Sequence, residues 1–328
     1  MSTSQSTNQL NNPAATKCDV TEPSDARLAN NLQAELAEPP MMTENSERNA
    51  ADEVQRLRIS HSPDSDDAFM FYAIKFGKVD LHGYEFEITS DEIDVLNQQA
   101  MVIASETIKA NDRPDIFAVS FHAYHYIQEQ FKILRAGASM AGKDYGPRLV
   151  SLKELQTDTP TIAVPGEYTS AFLVLQKYLE LNQPKIKPQY QFCSYNEVFD
   201  LLESNQVNAS LLIHESQLKY QEHDCQLIVD LGKWWFEKYQ LQMPLGCNVI
   251  NRDLGEETIR AIDSILQESI QWGLDNFEEV LDYSRRFANN DLDDEAAKRY
   301  INMYVNQSTV ALTEDDLKSI DILLSYKN

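Results

Sequence analysis

Four stretches of this sequence place chemically able side chains where an apolar run gives way to a loop or a helix. The run Ala209–Ile213 ends in His214-Glu215. A histidine at the carboxyl end of a buried strand titrates near neutral pH and suits a general base; the plainer alternative is a ring satisfied by a backbone carbonyl. Neighbours on a strand face opposite ways, so Glu215 is not expected to orient the ring. The turn Pro165-Gly166-Glu167-Tyr168-Thr169-Ser170-Ala171 runs from TIAV into an apolar helix. Hydroxyls beside the unpaired amides of that helix start make a small anion site for a carboxylate. It is too short for a nucleotide P-loop and lacks the lysine such a loop needs. Ala118-Val119-Ser120 closes the run DIFAVS, where Ser120 is either a helix N-cap or a hydroxyl that touches ligand. Ser62-Pro63-Asp64-Ser65-Asp66-Asp67 offers three carboxylates. Hard divalent cations use such oxygens, but the Gly and distal Glu of a calcium loop are missing. Helix capping and loop shaping are the preferred reading there.

Other candidates are weaker. His122 and His125 are three residues apart in FHAYHYI, a spacing that faces one side of a helix, yet no third metal ligand is evident and the aromatic neighbours indicate packing. His61 lies within the first strand, and His82 and His223 read as loop residues. Trp234-Trp235 is expected in the core. There is no GxSxG elbow and no GxGxxG fingerprint, so no metal and no cofactor is expected. Cys18, Cys193, Cys225 and Cys247 are far apart, which fits free thiols in a reducing compartment.

The elements that must position these corners alternate between strand and helix patterns from Leu57 onward. Strands are predicted at Leu57–Ser62, Tyr84–Thr89, Asp115–Ser120, Thr161–Val164, Ala209–His214 and Leu227–Asp230, with helices at Asp67–Phe76, Glu92–Lys109, His122–Gln130 and Ser170–Leu179. This order predicts an α/β fold with mostly parallel sheets in two lobes. After Asn251 the pattern is all helical: Glu256–Leu274, Phe277–Phe287, Asp294–Asn306 and Glu314–Ser325. The expected division is a tail over 1–55, a first lobe of 56–157 plus 246–328, and a second lobe of 158–245. The tail has no aromatic residue and is expected to be disordered, with a transient helix at Leu28–Ala37. Ligands of such open sheets bind at the carboxyl ends of strands, between lobes.

The 328 residues carry 28 Lys+Arg against 52 Asp+Glu, a formal charge of −24. That balance argues against nucleic acid as a partner, because a phosphate backbone needs a basic surface. No run reaches the roughly 18 apolar residues of a membrane span. The opening MSTSQSTNQLNN has no basic or apolar region of a secretory signal, so a cytoplasmic protein without a membrane partner is expected. Oligomeric state is left open.

The segments HSPDSDDAFMFYAIKFG, AVSFHAY, YGPRLV, VPGEYTSAF, LLIHES and VDLGKWW…MPLGCNVINRDLG together resemble the 1,4-dihydroxy-6-naphthoate synthase family of the futalosine route to menaquinone. The likeness runs from about residue 57 to the end. It implies a two-lobed fold like that of type 2 periplasmic-binding proteins, with a C-terminal helical segment. It further implies a carbon–carbon lyase that converts cyclic de-hypoxanthine futalosine to 1,4-dihydroxy-6-naphthoate and dihydroxyacetone, without cofactor. By the same resemblance His214 is the proton acceptor, and Ala118, Val119, Ser120, Ser170 and Ala171 contact a carboxylate substrate. Three departures stand out. Pro63-Asp64-Ser65-Asp66-Asp67 replaces the Pro-Cys-Pro-Asn-Asp of many members and adds negative charge near a carboxylate ligand. Ala118 stands where some members have Lys, and Ser170 where many have Thr. The alternatives are a non-catalytic binding protein of the same fold and the sister chorismate dehydratase, whose equivalent strand ends in Gly-Asp instead of His-Glu.

Overall fold

A computed structural model of the chain describes residues 54–108, 113–287 and 294–326. The expected tail, with Cys18 and the stretch Leu28–Ala37, lies outside the described residues except for 54 and 55. Strand β1 (Gln55–His61) turns Leu57 and Ile59 inward and its arginines outward, the alternation that a half-buried strand requires. Two short helices follow, α1 (Ser65–Met70) and α2 (Tyr72–Lys75), where one helix was expected; Phe71 interrupts them. Next come β2 (Tyr84–Ser90), α3 (Ile93–Ala104), β3 (Ile116–Ser120), α4 (Phe121–Ile127), β4 (Phe131–Ile133) and β5 (Ser139–Ala141). Every residue of β3 is buried, and its apolar run IFAVS forms the centre of the first sheet.

The chain then crosses to a second sheet built from β6 (Arg148–Ser151), β7 (Thr161–Val164), β8 (Gln189–Phe192), β9 (Ala209–Leu212) and β10 (Gln226–Asp230). Helices α5 (Ser170–Asn182), α6 (Val198–Glu203), α7 (Ser216–Lys219) and α8 (Leu231–Tyr239) connect and follow these strands. Strand β11 (Met243–Asn251) returns to the first sheet, and the remaining helices are α9 (Gly255–Asp275), α10 (Phe277–Ser284), α11 (Asp294–Tyr304), α12 (Gln307–Val310) and α13 (Glu314–Leu324).

The first sheet runs β2-β1-β3-β11-β4, with β5 also on β11, and the second runs β10-β6-β9-β7-β8. The expectation of mostly parallel sheets is corrected. Strand β11 runs antiparallel to β3, β4 and β5, and β6 runs antiparallel to β9 and β10, because both are the strands on which the chain changes sheets. The crossing also falls earlier than position 157: β6 is an inner strand of the second sheet, and β11 rejoins the first from Met243.

Helix α9 sets Ile259, Ile262, Ile265, Leu266 and Ile270 along one buried face, at the spacing that packs a helix stripe against a sheet lobe. They join Leu57, Ile59 and Phe69 in one apolar cluster. The last helix is started by a capping box between Thr313 and Asp316. Its Ser319 accepts a 2.9 Å bond from the indole N–H of Trp235, a fully buried side chain, so Trp235 is core as expected. Among the described residues no helix is long and apolar enough to cross a membrane.

Candidate active site

Between the two sheets lies a concave cleft lined from both of them, the kind of place at which small ligands bind. Its walls are strand ends and helix starts. All six residues singled out for a site in the sequence line it: Ala118, Val119 and Ser120 from β3, Ser170 and Ala171 from α5, and His214 beyond β9. The acidic loop between β1 and α1 lines the same space through Asp64, Asp66 and Asp67.

Strand β9 stops at Leu212, and His214 follows in the left-handed backbone region at φ 50°. That conformation costs an ordinary L-residue on the order of 1 kcal/mol. It turns the ring toward the other lobe, where Nδ1 lies 2.8 Å from Asp64 Oδ2, with the two side chains only 15% and 11% exposed. The partner is therefore a carboxylate and not the backbone carbonyl of the plainer reading. Burial disfavours the imidazolium, but the charge of Asp64 and its hydrogen bond, helped by Glu215 and Asp67, outweigh it and hold the His214 pKa above the ordinary range. Burial acts on Asp64 in the opposite sense; there the charge and bond of His214, with Ser62 and His61, win and lower its pKa. The ring of Tyr195 stands edge-on, 5.2 Å away. Glu215 accepts a 3.1 Å bond from Ser65 Oγ.

The capping expected of the acidic loop is only partly realised. Asp64 occupies the N-cap position of α1 without a side-chain capping bond, because it serves His214. Asp67 shapes the loop by accepting from the Ser62 amide at 2.7 Å. Burial first, and then the charge of Asp64, push the pKa values of Asp66 and Asp67 well up. The same burial and mutual repulsion that raise these two pKa values make the loop's carboxyls less willing to ionise than exposed ones. Asp66 Oδ2 accepts from Ser139 Oγ at 3.3 Å, while its Oδ1 is buried without a partner.

At the start of α5 the cap is Thr169, whose hydroxyl accepts from the Phe172 amide at 3.2 Å. Gly166 has φ 97°, a conformation open to glycine that lets the loop turn into the helix. Ser170 Oγ donates to the Leu245 carbonyl at 2.6 Å, and the first-turn amides have no acceptor within the helix. Ser120 is at the N-cap position of α4 but makes no capping bond; its hydroxyl accepts from Asn97 Nδ2 at 3.0 Å and its amide donates to Asn97 Oδ1 at 2.9 Å.

His122 and His125 pack among rings, His122 against Tyr126 and Tyr168 and His125 against Tyr126. Burial depresses the His122 pKa to about 4. His61 stacks on Phe71 and His223 on Phe199. Among the described residues no group of three His, Cys, Asp or Glu side chains is arranged to hold a metal ion.

Sequence reasoning missed five polar cleft residues, Ser139, Gln217, Asn248, Tyr300 and Tyr304. Tyr300 and Tyr304 are four apart on α11, one face of a helix, and that spacing was the available signal. Tyr304 donates to Gln217 Oε1 at 2.9 Å, linking α11 to the second lobe. Asn248 on β11 donates to the Gly137 carbonyl at 2.9 Å and keeps its own Oδ1 buried without a partner; nothing local marks it.

A family model described as menaquinone biosynthesis matches residues 57–328. Curated relatives called 1,4-dihydroxy-6-naphtoate synthase include one from Thermus thermophilus, 30% identical over 81% of this chain and 92% of its own length, and one from Streptomyces coelicolor, 27% identical over 82% and 92%. A crystal structure of a protein from Archaeoglobus fulgidus is similar at 35% identity and a TM-score of 0.73, covering 82% of this chain and 96% of that one. The periplasmic aliphatic sulphonate binding protein of Escherichia coli shares the fold alone, at 12% identity and a TM-score of 0.55 over 82% and 91%. The architecture is thus that of the periplasmic-binding-protein-like fold, with helices appended at the C-terminal side. The chain belongs to the menaquinone biosynthesis family, and is an enzyme of that pathway.

Proposed function

We propose that the chain is a carbon–carbon lyase that converts cyclic de-hypoxanthine futalosine to 1,4-dihydroxy-6-naphthoate and dihydroxyacetone, with His214 as proton acceptor. The observation that carries this reading is the imidazole at the cleft wall, bound through Nδ1 to a buried carboxylate at 2.8 Å, which leaves Nε2 facing away from that partner. Neutral His214 takes a carbon-bound proton through Nε2. The electron pair left behind forms a double bond of the new ring while the bond to the three-carbon fragment breaks. That bond's electrons leave with the fragment, which takes the proton back from the His214 imidazolium to become dihydroxyacetone, and aromatisation drives the step. One placed base in an enclosed cleft is enough for such a reaction.

The substrate carboxylate is assigned to the start of α5, where the Ser170 and Ala171 amides form a helix N-terminus suited to an anion, held in place by the bond from the Ser170 hydroxyl to the Leu245 carbonyl. Among the described residues no Lys or Arg lines the cleft, so these neutral donors carry the recognition. Ala118, Val119 and Ser120 form the facing wall. The reading places the protein in the cytoplasm, where this substrate class is made.

The test is incubation of purified protein with cyclic de-hypoxanthine futalosine, followed by chromatography and naphthoate absorbance. Appearance of the naphthoate and dihydroxyacetone is expected. Binding with quantitative return of unchanged substrate would instead establish a receptor, the role of the sulphonate-binding fold relative.

A further inference from the structure

Asp64 and His214 reach each other from different lobes, one from the loop after β1 in the first sheet and the other from the end of β9 in the second. We infer that Asp64 is a positioning residue that reaches across the cleft to fix the His214 ring, with Nδ1–H bound to its carboxylate and Nε2 turned to the ligand, so that the base is complete only when both lobes meet. This rests on the reading of His214 as the base.

Three observations support it. First, the Asp64 side chain makes no capping bond to α1, and of the groups that hold its charge His214 outweighs the own-lobe Ser62 and His61. A nearly buried carboxylate is costly unless a charged or hydrogen-bonding partner meets it, and the partner present is the imidazole. Second, the other acidic groups around the ring are committed elsewhere: Glu215 to Ser65, Asp67 to the Ser62 amide and Asp66 to Ser139. Tyr195 offers a ring edge, not an acceptor at bonding distance. Asp64 is thus the group that selects the tautomer, because the nitrogen that binds a carboxylate carries the proton and leaves the other free to accept one. Third, the contact is one of several that cross the same gap. Ser65 Oγ donates to Glu215 at 3.1 Å and Ser194 Oγ to Glu92 at 3.4 Å, so the lobes are held in register where the pair forms.

The charges on this ring predict a sign. The base must be neutral, so kcat/KM rises with pH through the His214 pKa, which Asp64, Glu215 and Asp67 hold up. Removing the Asp64 anion lowers that pKa. Asp64→Asn is therefore expected to reduce the plateau of kcat/KM by roughly 10²-fold or more and to move its acid limb to lower pH. His214→Ala, assayed alongside, separates the two ideas. If His214→Ala keeps wild-type turnover, the underlying reading of the base fails. If His214→Ala is inactive while Asp64→Asn keeps the wild-type rate and profile, only the positioning role is overturned. A lost rate with an unmoved acid limb also overturns it, since that is the mark of a structural carboxylate. Should Asp64→Asn not fold, nitrogen NMR of the wild-type full chain with labelled histidine decides. A neutral His214 protonated on Nδ1 is the expected result, and protonation on Nε2 refutes the proposal.

Discussion

Two histidine-bearing regions of this chain invite comparison. At the end of β9, His214 meets a carboxylate across the cleft and its pKa is raised. On α4, His122 sits among the rings of Tyr126 and Tyr168, and its pKa falls to about 4. Burial pushes both rings the same way. What differs is the neighbour: for His122 the burial is opposed only by a backbone contact at Thr169 and is reinforced by His125. A buried imidazole is made a strong base or a permanently neutral ring by one adjacent charge, not by its depth.

The strongest attempt to break this contrast is His214→Ala. Turnover is expected to fall by about 10²- to 10⁴-fold, with the thermal unfolding midpoint nearly unchanged; retained turnover would erase the distinction between the two regions. A smaller effect is expected at the proposed anchor. Ser170→Ala removes the hydroxyl that ties the start of α5 to the Leu245 carbonyl and should raise KM by about five- to tenfold through the loosened anchor, the equivalent of one hydrogen bond. A change confined to kcat would move Ser170 out of substrate binding.

Asp66→Asn sharpens the electrostatic side. The folded-state pKa of Asp66 lies well above its unfolded value, so folding takes up a proton there as pH rises past about 4, and stability is lost above that point. The isosteric amide needs no proton. It should raise the melting temperature by a few degrees at pH 7, and the gain should vanish below about pH 4. A lower melting temperature at pH 7 would show that Asp66 is ionised there. The smallest effect belongs to His122→Gln, which should leave the acid limb of kcat/KM in place and change its plateau less than about threefold, far below the roughly 10²-fold or more that a positioned acid or base contributes. A displaced limb would assign the titration to the wrong ring.

The cleft walls were legible because each is a strand end or helix start, and those boundaries show as a change of hydrophobic period at Ser120, Ser170 and His214. The bond between Asp64 and His214 was not. Its members are distant in sequence and belong to different lobes, and Asp64 stands where local chemistry offers capping as a sufficient account. The returning strands were missed for a different reason. Strand β11 contains Pro244 and Gly246, which read as breakers, and the fold absorbs them as an irregularity in its pairing with β5. Strand β6 has only four residues and follows Pro147, too short a run to declare its period. The longer C-terminal helices were legible, as the Ile259 to Ile270 stripe illustrates, while the four-residue α12 was too short to show a period.

The left-handed turn at His214 ties chemistry to enclosure. Were the lobes to part, Nδ1 would leave Oδ2 and the ring would lose the carboxylate that raises its pKa. On the proposed reading of His214, a molecule gaping to load its cargo would thereby be a poor proton thief, sharpened only once the cargo is shut in.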